Sequence, residues 1–339
     1  MLQILRTLAL LAGLQHASAA MAFGAPGHAF SGALADQLLN PHAARQVSHV
    51  LGMKLAVAAT WADCAKGVAP GPAGFHDVPD PRFHRACAPF QTPQGMARMA
   101  DYVSRNWIVC SAAGEAVACH KAYHFSDVAI QHERYDRAFI GTSDHDVVSA
   151  LNAVIAVLRG RPAPPPFSIR DQKEALLLLA HLVGDVHQPL HVGAVYLDAH
   201  GAPVDPDAGA AASNLNTTTT RGGNSIIDGA TNLHALWDAI PLHLQPSGID
   251  KATLAAARRV ATNPLDPSVW PAAWATETLI VSREAFEGLS FRPDTANPGR
   301  WAVEYADPAA SIERRQALQA QQLLRAGARL AQQLNALWP

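Results

Sequence analysis

The chain is predicted to be all-α, a single mainly helical domain. Three observations carry that prediction. Ala175-Leu-Leu-Leu-Leu-Ala-His-Leu-Val-Gly184 is long, apolar and Leu-rich, as a buried helix is. Most other segments with a pattern repeat their apolar residues at helical spacing. Few Val/Ile alternations suggest strands, and no short-period repeat occurs. With 339 residues, 49% hydrophobic and 16% charged, the chain has material for a sizeable core.

In chain order, Pro26-Gly27 marks a turn before a helix over Ala29–Leu39, with His28 in its first turn. Gln46–Asp63 is a second helical pattern, rich in Val, Leu and Ala. Gly67–Gly95 is a loop by its Pro and Gly content, and disulfides can fasten a loop of that length. Helical spacing resumes over Met96–Val109, and Cys110–Cys119 encloses a small-residue turn. Lys121–Asp127 fits an extended or irregular segment as easily as a helix. Asp144–Leu158 is an apolar helix, Arg159–Pro166 a Pro-rich linker, and Ile169–Val186 the central helix, ended by Pro189. Asp198–Thr220 is expected to be a surface loop and Arg221-Gly-Gly-Asn224 a tight turn. Helices follow over Asn232–Asp238, Pro271–Glu287 and Ser311–Leu337.

Residues 1–22 have the form of a secretory signal peptide, leaving one domain over 23–339. Arg6 is the positive residue, Thr7–Leu14 the apolar core, and Ala17-Ser-Ala19 and Ala20-Met-Ala22 are small-x-small cleavage sites. That core is too short to span a bilayer. The expectation is a secreted or periplasmic protein with no membrane anchor after cleavage. Cys64, Cys87, Cys110 and Cys119 are even in number, and an exported protein can form two disulfides, with three pairings open. No Cys-x-x-Cys occurs, which argues against a thiolate metal site. Net charge is −2, or −3 without Arg6, which is no basic footprint for gripping long duplex nucleic acid.

The chemistry concentrates in His181-Leu-Val-Gly-Asp185-Val-His187-Gln-Pro-Leu-His191. His181 and Asp185 are one helical turn apart and share a face. The turn at Pro189 can bring His191 back to them. A buried Asp beside imidazoles is costly unless something neutralises it. One such pair alone is better read as a helix of satisfied core histidines with an Asp near its end. Asn232-Leu-His234-Ala-Leu-Trp-Asp238 repeats the pair, and core packing alone then explains it poorly. With His28, Asp63 and His124 upstream, the donors are five imidazoles and three carboxylates. That set suits zinc in catalytic sites, and it exceeds what one ion needs. None of the pairs has the Glu-x-x-His form of a di-iron bundle.

These residues resemble the zinc-dependent P1/S1 nucleases, relatives of the bacterial zinc phospholipases C. Trp61-Ala-Asp63, His124-Phe125, the His181–Gly193 run, Gly222-Gly-Asn224 and Asn232–Asp238 carry the resemblance in their order and spacing. The resemblance implies a phospholipase C/P1 nuclease fold and three zinc ions per chain. It places Asp63, His124, His181 and Asp185 on one zinc and His191, His234 and Asp238 on a second. The third would be held by His28, by Asp185 as a bridge, and by the free α-amine and carbonyl of the first mature residue. Here that is Phe23, where the family usually has Trp. Cleavage after Ala22 would therefore be required. Implied activity is hydrolysis of single-stranded DNA or RNA and of 3′-nucleotides by zinc-activated hydroxide attacking phosphorus. Asp63 would orient that nucleophile and Lys66 would offset phosphate charge. Phe125 and Asp127 would form a base pocket. Asn224 and His187 would orient ligands at the site's edge. On the residues alone, Lys66 fits a surface lysine and Phe125 a core ring as well. The Cys-containing span of 64–120 is longer than in short fungal members and would form a lid or rim. Two rivals are a phospholipase C on the same cluster and a non-catalytic secreted metal-binding protein. No stable protein partner is implied.

Overall fold

The helix at the centre of the fold runs over Gln172–Asp185 in the computed structural model, which describes residues 23–78, 80, 83–112, 115–208 and 218–339. The proposed signal peptide, residues 1–22, lies outside the described residues. Every residue from Glu174 to Asp185 is buried, as expected of a helix apolar on all faces. It starts later than the pattern suggested because Asp171 caps it. The Asp171 carboxylate accepts from Glu174 N at 2.8 Å, and Glu174 accepts from Arg170 N at 2.8 Å. Such a reciprocal cap contributes roughly 1 kcal/mol. The buried Glu174 is also paired with Arg105 at 2.7 Å, so its burial is compensated.

Around this helix pack Val147–Leu158, Gly24–Asp36, Trp61–Lys66 and the thirty-residue helix Pro308–Leu337. Leu151, Val154, Leu178, Leu179, Trp274, Leu330 and Leu334 belong to the one main core. Trp270–Phe286 closes the other side near His191 through Ser282, whose hydroxyl donates to Pro189 O at 2.7 Å.

The second predicted helix, Gln46–Asp63, is broken into Pro41–Leu51, Leu55–Ala58 and Trp61–Lys66. Gly52 ends the first piece at φ +67°, in the left-handed region that favours glycine. The break lets Trp61–Lys66 turn Asp63 toward the central helix.

The fold is mainly helical, but the all-α expectation needs correcting, because short sheets are present. One has strand order Thr231–Asn232, Ile226–Asp228, Trp301–Tyr305 and Leu289–Pro293. A second joins Pro203–Val204, Tyr196–Leu197 and Thr218–Thr219, and Val128–Ala129 pairs in parallel with Gly193–Ala194. Strands of two to five residues are too short to leave a clear alternation in the sequence.

The span predicted as a loop, Gly67–Gly95, contains the antiparallel hairpin Val68–Gly71/Gly74–Asp77 and a short helix at His84–Cys87. Between Trp107 and Cys119, Val109–Ala112 pairs antiparallel with Glu115–Ala118. The disulfides pair Cys64 with Cys87 and Cys110 with Cys119. The first fastens the insertion to the residue after Asp63. The insertion's helix, Pro93–Arg105, is tied to the start of the central helix by Arg98–Asp171 and Arg105–Glu174. That is the end away from Asp185, and the same helix also packs on Trp61 through Tyr102, with ring centroids 5.0 Å apart. Among the described residues, no helix is long and apolar enough to cross a membrane.

Candidate metal centre

Three buried groups of His and Asp donors converge where the C-terminal end of the central helix meets its neighbours. The first is Asp63, His124 and His181. His181 Nδ1 faces Ala59 O at 2.7 Å, and a carbonyl only accepts, so Nδ1 carries the proton and Nε2 has a lone pair. That Nε2 lies 3.0 Å from His124 Nδ1, 3.1 Å from Asp185 Oδ2 and 3.6 Å from Asp63 Oδ1. Asp185 Oδ2 is also 2.9 Å from His124 Nδ1.

The second group is His191, His234 and Asp238. His191 Nδ1 donates to His124 O at 2.7 Å and His234 Nδ1 to Gly222 O at 2.6 Å. Both Nε2 atoms therefore carry lone pairs, yet they face each other at 3.1 Å. Burial pushes the two imidazoles down to about 4 and about 3, so both are neutral at neutral pH. Two lone pairs at that distance repel unless a cation lies between them. Gly222 makes the arrangement possible: at φ +54° it turns its carbonyl to His234, and a side chain there would strike Leu190 O.

His28, His181 and Asp185 form the third group. The His28 ring stacks on His181 with centroids 3.7 Å apart, and its Nε2 is 3.5 Å from Asp185 Oδ1. Gly184 permits this approach, since a Cβ there would lie 2.7 Å from His28 Nδ1. His28 falls in the first turn or so of Gly24–Asp36, a helix that starts earlier than expected. Phe23 precedes that helix in the left-handed region at φ 35°, with its ring fully buried beside Phe30 and Leu34. Gly24 lies against Asp238, whose carbonyl oxygen would be 3.2 Å from a Cβ there.

The donors fit divalent cations. Both ring nitrogens of His28 and one oxygen each of Asp63 (Oδ2), Asp185 (Oδ1) and Asp238 (Oδ2) are buried without a hydrogen-bond partner among the described residues. Buried polar atoms are otherwise almost always satisfied. Burial drives the Asp238 carboxyl well above the usual carboxylate range. Burial alone would raise Asp63 too, but Lys66 and the imidazoles hold it below that range. Lys66 Nζ is 2.8 Å from Asp63 Oδ1. Bound cations would let all three buried carboxylates ionise together, and imidazoles with a free lone pair are their ligand form.

Several residues that support the donors were not singled out in the sequence. Gln188 Nε2 donates to Asp238 Oδ1 at 2.8 Å. Gln322 Nε2 donates to His187 O at 2.8 Å, and Arg329 Nη1 donates to His187 Nε2 at 3.0 Å, both from the last helix. His187 Nδ1 in turn donates to Val183 O at 2.7 Å, which fixes its tautomer. His187 thus holds the turn between Asp185 and His191. Gln188 lies inside the most specific motif, and that adjacency was its available signal. Gln322 carries no local pattern.

Of the predicted substrate residues, Asp127 is buried, and its Oδ2 lacks a hydrogen-bond partner among the described residues. Its backbone is anchored by Asp127 N donating to Gly141 O at 2.9 Å and by Tyr196 Oη donating to Asp127 O at 2.8 Å. Burial raises its carboxyl to about 7, against the opposing pull of Arg221 and Gly222 N–H. Phe125 is partly buried two residues away. Asn224 donates to Arg221 O at 3.0 Å, closing its own turn, and it is the Gly222 carbonyl that accepts from His234 Nδ1.

No curated protein matches the chain. The family model for S1/P1 Nuclease matches residues 23–339 of the 339. A whole-length match, a mainly helical fold and buried His/Asp donors agree: the chain belongs to the S1/P1 nuclease family, hydrolases acting on nucleic-acid esters.

Proposed function

We propose that this chain is an exported phosphoesterase that uses three zinc ions to hydrolyse single-stranded nucleic acid and 3′-nucleotides. One observation supports it above the rest: the two lone-pair nitrogens of His191 and His234 face each other at 3.1 Å in a buried, neutral setting. Asp63, His124, His181 and Asp185 would hold one ion, and His191, His234 and Asp238 a second. His28, Asp185 and the α-amine and carbonyl of Phe23 would hold the third. Such ions, when bound, lower the pKa of water and offset charge on phosphate.

The chain's own residues then divide the remaining work. Lys66 is 27% exposed, so it can pair with Asp63 and still face an incoming phosphate. Desolvation works against its charge, but Asp63, Asp185 and Asp238 hold its pKa above the usual lysine value, so it stays cationic. Asp63 orients the nucleophile from the opposite side of that pair. Phe125 stacks on a nucleobase and Asp127 accepts from base N–H groups.

The Asp127 role gives a pH dependence. With its carboxyl raised to about 7, Asp127 accepts as a carboxylate above that pH and is protonated below it. KM for a 3′-nucleotide should therefore fall as pH rises through about 7. In Asp127→Asn this inflection should vanish and KM at pH 8 should rise by about tenfold, the worth of a charged hydrogen bond. An unchanged KM profile in the variant would remove Asp127 from base recognition.

One assay tests the reading as a whole. Mature protein, with and without chelator, is offered single-stranded DNA, 3′-AMP and phosphatidylcholine, and its N-terminus is sequenced. The expected result is chelator-sensitive cleavage of the first two and a chain beginning at Phe23. Cleavage of phosphatidylcholine alone would favour the phospholipase, and no turnover with zinc restored would leave a metal-binding protein.

A further inference from the structure

We propose that His132, Asp205 and Asp207 form a separate divalent-cation site, of the zinc type, beside the proposed base pocket. None of its residues belongs to the buried centre, and the proposal does not depend on what that centre hydrolyses.

The imidazole comes from the turn after Val128–Ala129 and the carboxylates from a loop far along the chain, after Pro203–Val204. His132 Nε2 is 2.7 Å from Asp207 Oδ2 and 3.5 Å from Asp205 Oδ1. The buried donors are spaced by 2.9 to 3.6 Å, so the peripheral trio is gathered almost as closely.

Each donor is held before any ion arrives. The His132 ring stacks flat on Phe139, with centroids 3.7 Å apart and planes 5° from parallel. Its turn is fixed by Arg283, which donates to Ile130 O at 2.6 Å and also to the carbonyls of Gln131 and His132. Asp205 Oδ1 accepts from Asp207 N at 2.9 Å, and Asp207 Oδ1 accepts from Ile140 N at 3.0 Å.

A plain His–Asp hydrogen bond needs only Asp207. Asp205 Oδ1, besides closing its own turn on Asp207 N, brings a second negative charge within 3.5 Å of the same imidazole, where two carboxylates repel. A divalent cation would offset that repulsion and use both carboxylates. One imidazole and two carboxylates suit zinc, and the exposure of the three side chains (12%, 28% and 19%) leaves room for water as a further ligand. Partial exposure also means weaker, exchangeable binding than in the buried centre.

The position ties the site to Asp127. Asp207 holds Ile140, the next residue's carbonyl accepts from Asp127 N, and Tyr196, which donates to Asp127 O, pairs with Val204 beside Asp205. An ion here would stiffen the pocket wall.

The test uses the full mature protein, dialysed to constant metal content and then titrated with Zn²⁺ by calorimetry, with elemental analysis of each sample. Asp205→Asn is the main variant, because Asn can still accept from Asp207 N and leaves the His132–Asp207 bond intact. Wild type should take up one more zinc equivalent than Asp205→Asn, or bind it at least about tenfold more tightly. His132→Gln should behave like Asp205→Asn. Metal retained through dialysis should be equal in all three. Equal uptake and affinity in wild type and Asp205→Asn would overturn the site. In Asp185→Asn the same difference should persist, so failure of the buried-centre reading is scored separately.

Discussion

Replacing Asp185 by asparagine should leave the central helix formed and abolish the paired half of the metal centre. Asp185 is the last residue of that helix, and its two oxygens serve different groups. Oδ2 lies 2.9 Å from His124 Nδ1 and 3.1 Å from His181 Nε2, while Oδ1 is 3.5 Å from His28 Nε2. Asparagine keeps the shape but removes the negative charge that lets two cations sit close together. It also offers an amide hydrogen where a ligand lone pair is needed. The expected result is a zinc content lower by at least one ion per chain, unchanged helicity by circular dichroism, and turnover reduced by more than about a hundredfold. Losing an outer partner of a metal ligand already costs about 10- to 100-fold. Undiminished zinc and turnover would contradict the bridging role.

His234→Ala should have an effect of similar size on a different ion. It removes the Nε2 that faces His191 at 3.1 Å and lies 3.6 Å from Asp238 Oδ2. It also leaves the buried Gly222 carbonyl without its donor, at a cost of about 1–3 kcal/mol. Metal held by His191, His234 and Asp238 should be lost, and activity with it. The Asp63–His124–His181 group shares none of these residues, so its metal should remain. A variant with full zinc content would refute the assignment of His234.

Much of the site could be read in the sequence because its donors come from short, rigid motifs. His181 with Asp185 and His234 with Asp238 are each one helical turn apart, and both pairs converge in space. Asp63 has no histidine one turn away and entered the donor set only beside the two His–Asp pairs. Its helix is six residues long, split from the longer predicted one by a glycine turn that periodicity ran straight through. The mainly helical fold was legible, and the short sheets were missed because their strands are only two to five residues long. Trp301, Val303 and Tyr305 do alternate, but a five-residue strand whose partner is also short leaves a weak signal. Disulfide pairing was open because geometry, not spacing, decides which sulfurs meet. His132, Asp205 and Asp207 were invisible for a tertiary reason: the imidazole and the carboxylates lie far apart in the chain, and no helix repeats them. The bond from Arg329 to His187 likewise joins residues far apart in the chain and could only be seen in the fold.

The most direct test of the central claim is the zinc content of the mature chain, measured beside its activity before and after chelation. The buried donors should retain three zinc ions per chain through dialysis into metal-free buffer. Stripping them should abolish hydrolysis of single-stranded DNA, and restoring zinc should recover it. A mature chain that holds no zinc, or one that cleaves at full rate after its metal is removed, would contradict the account.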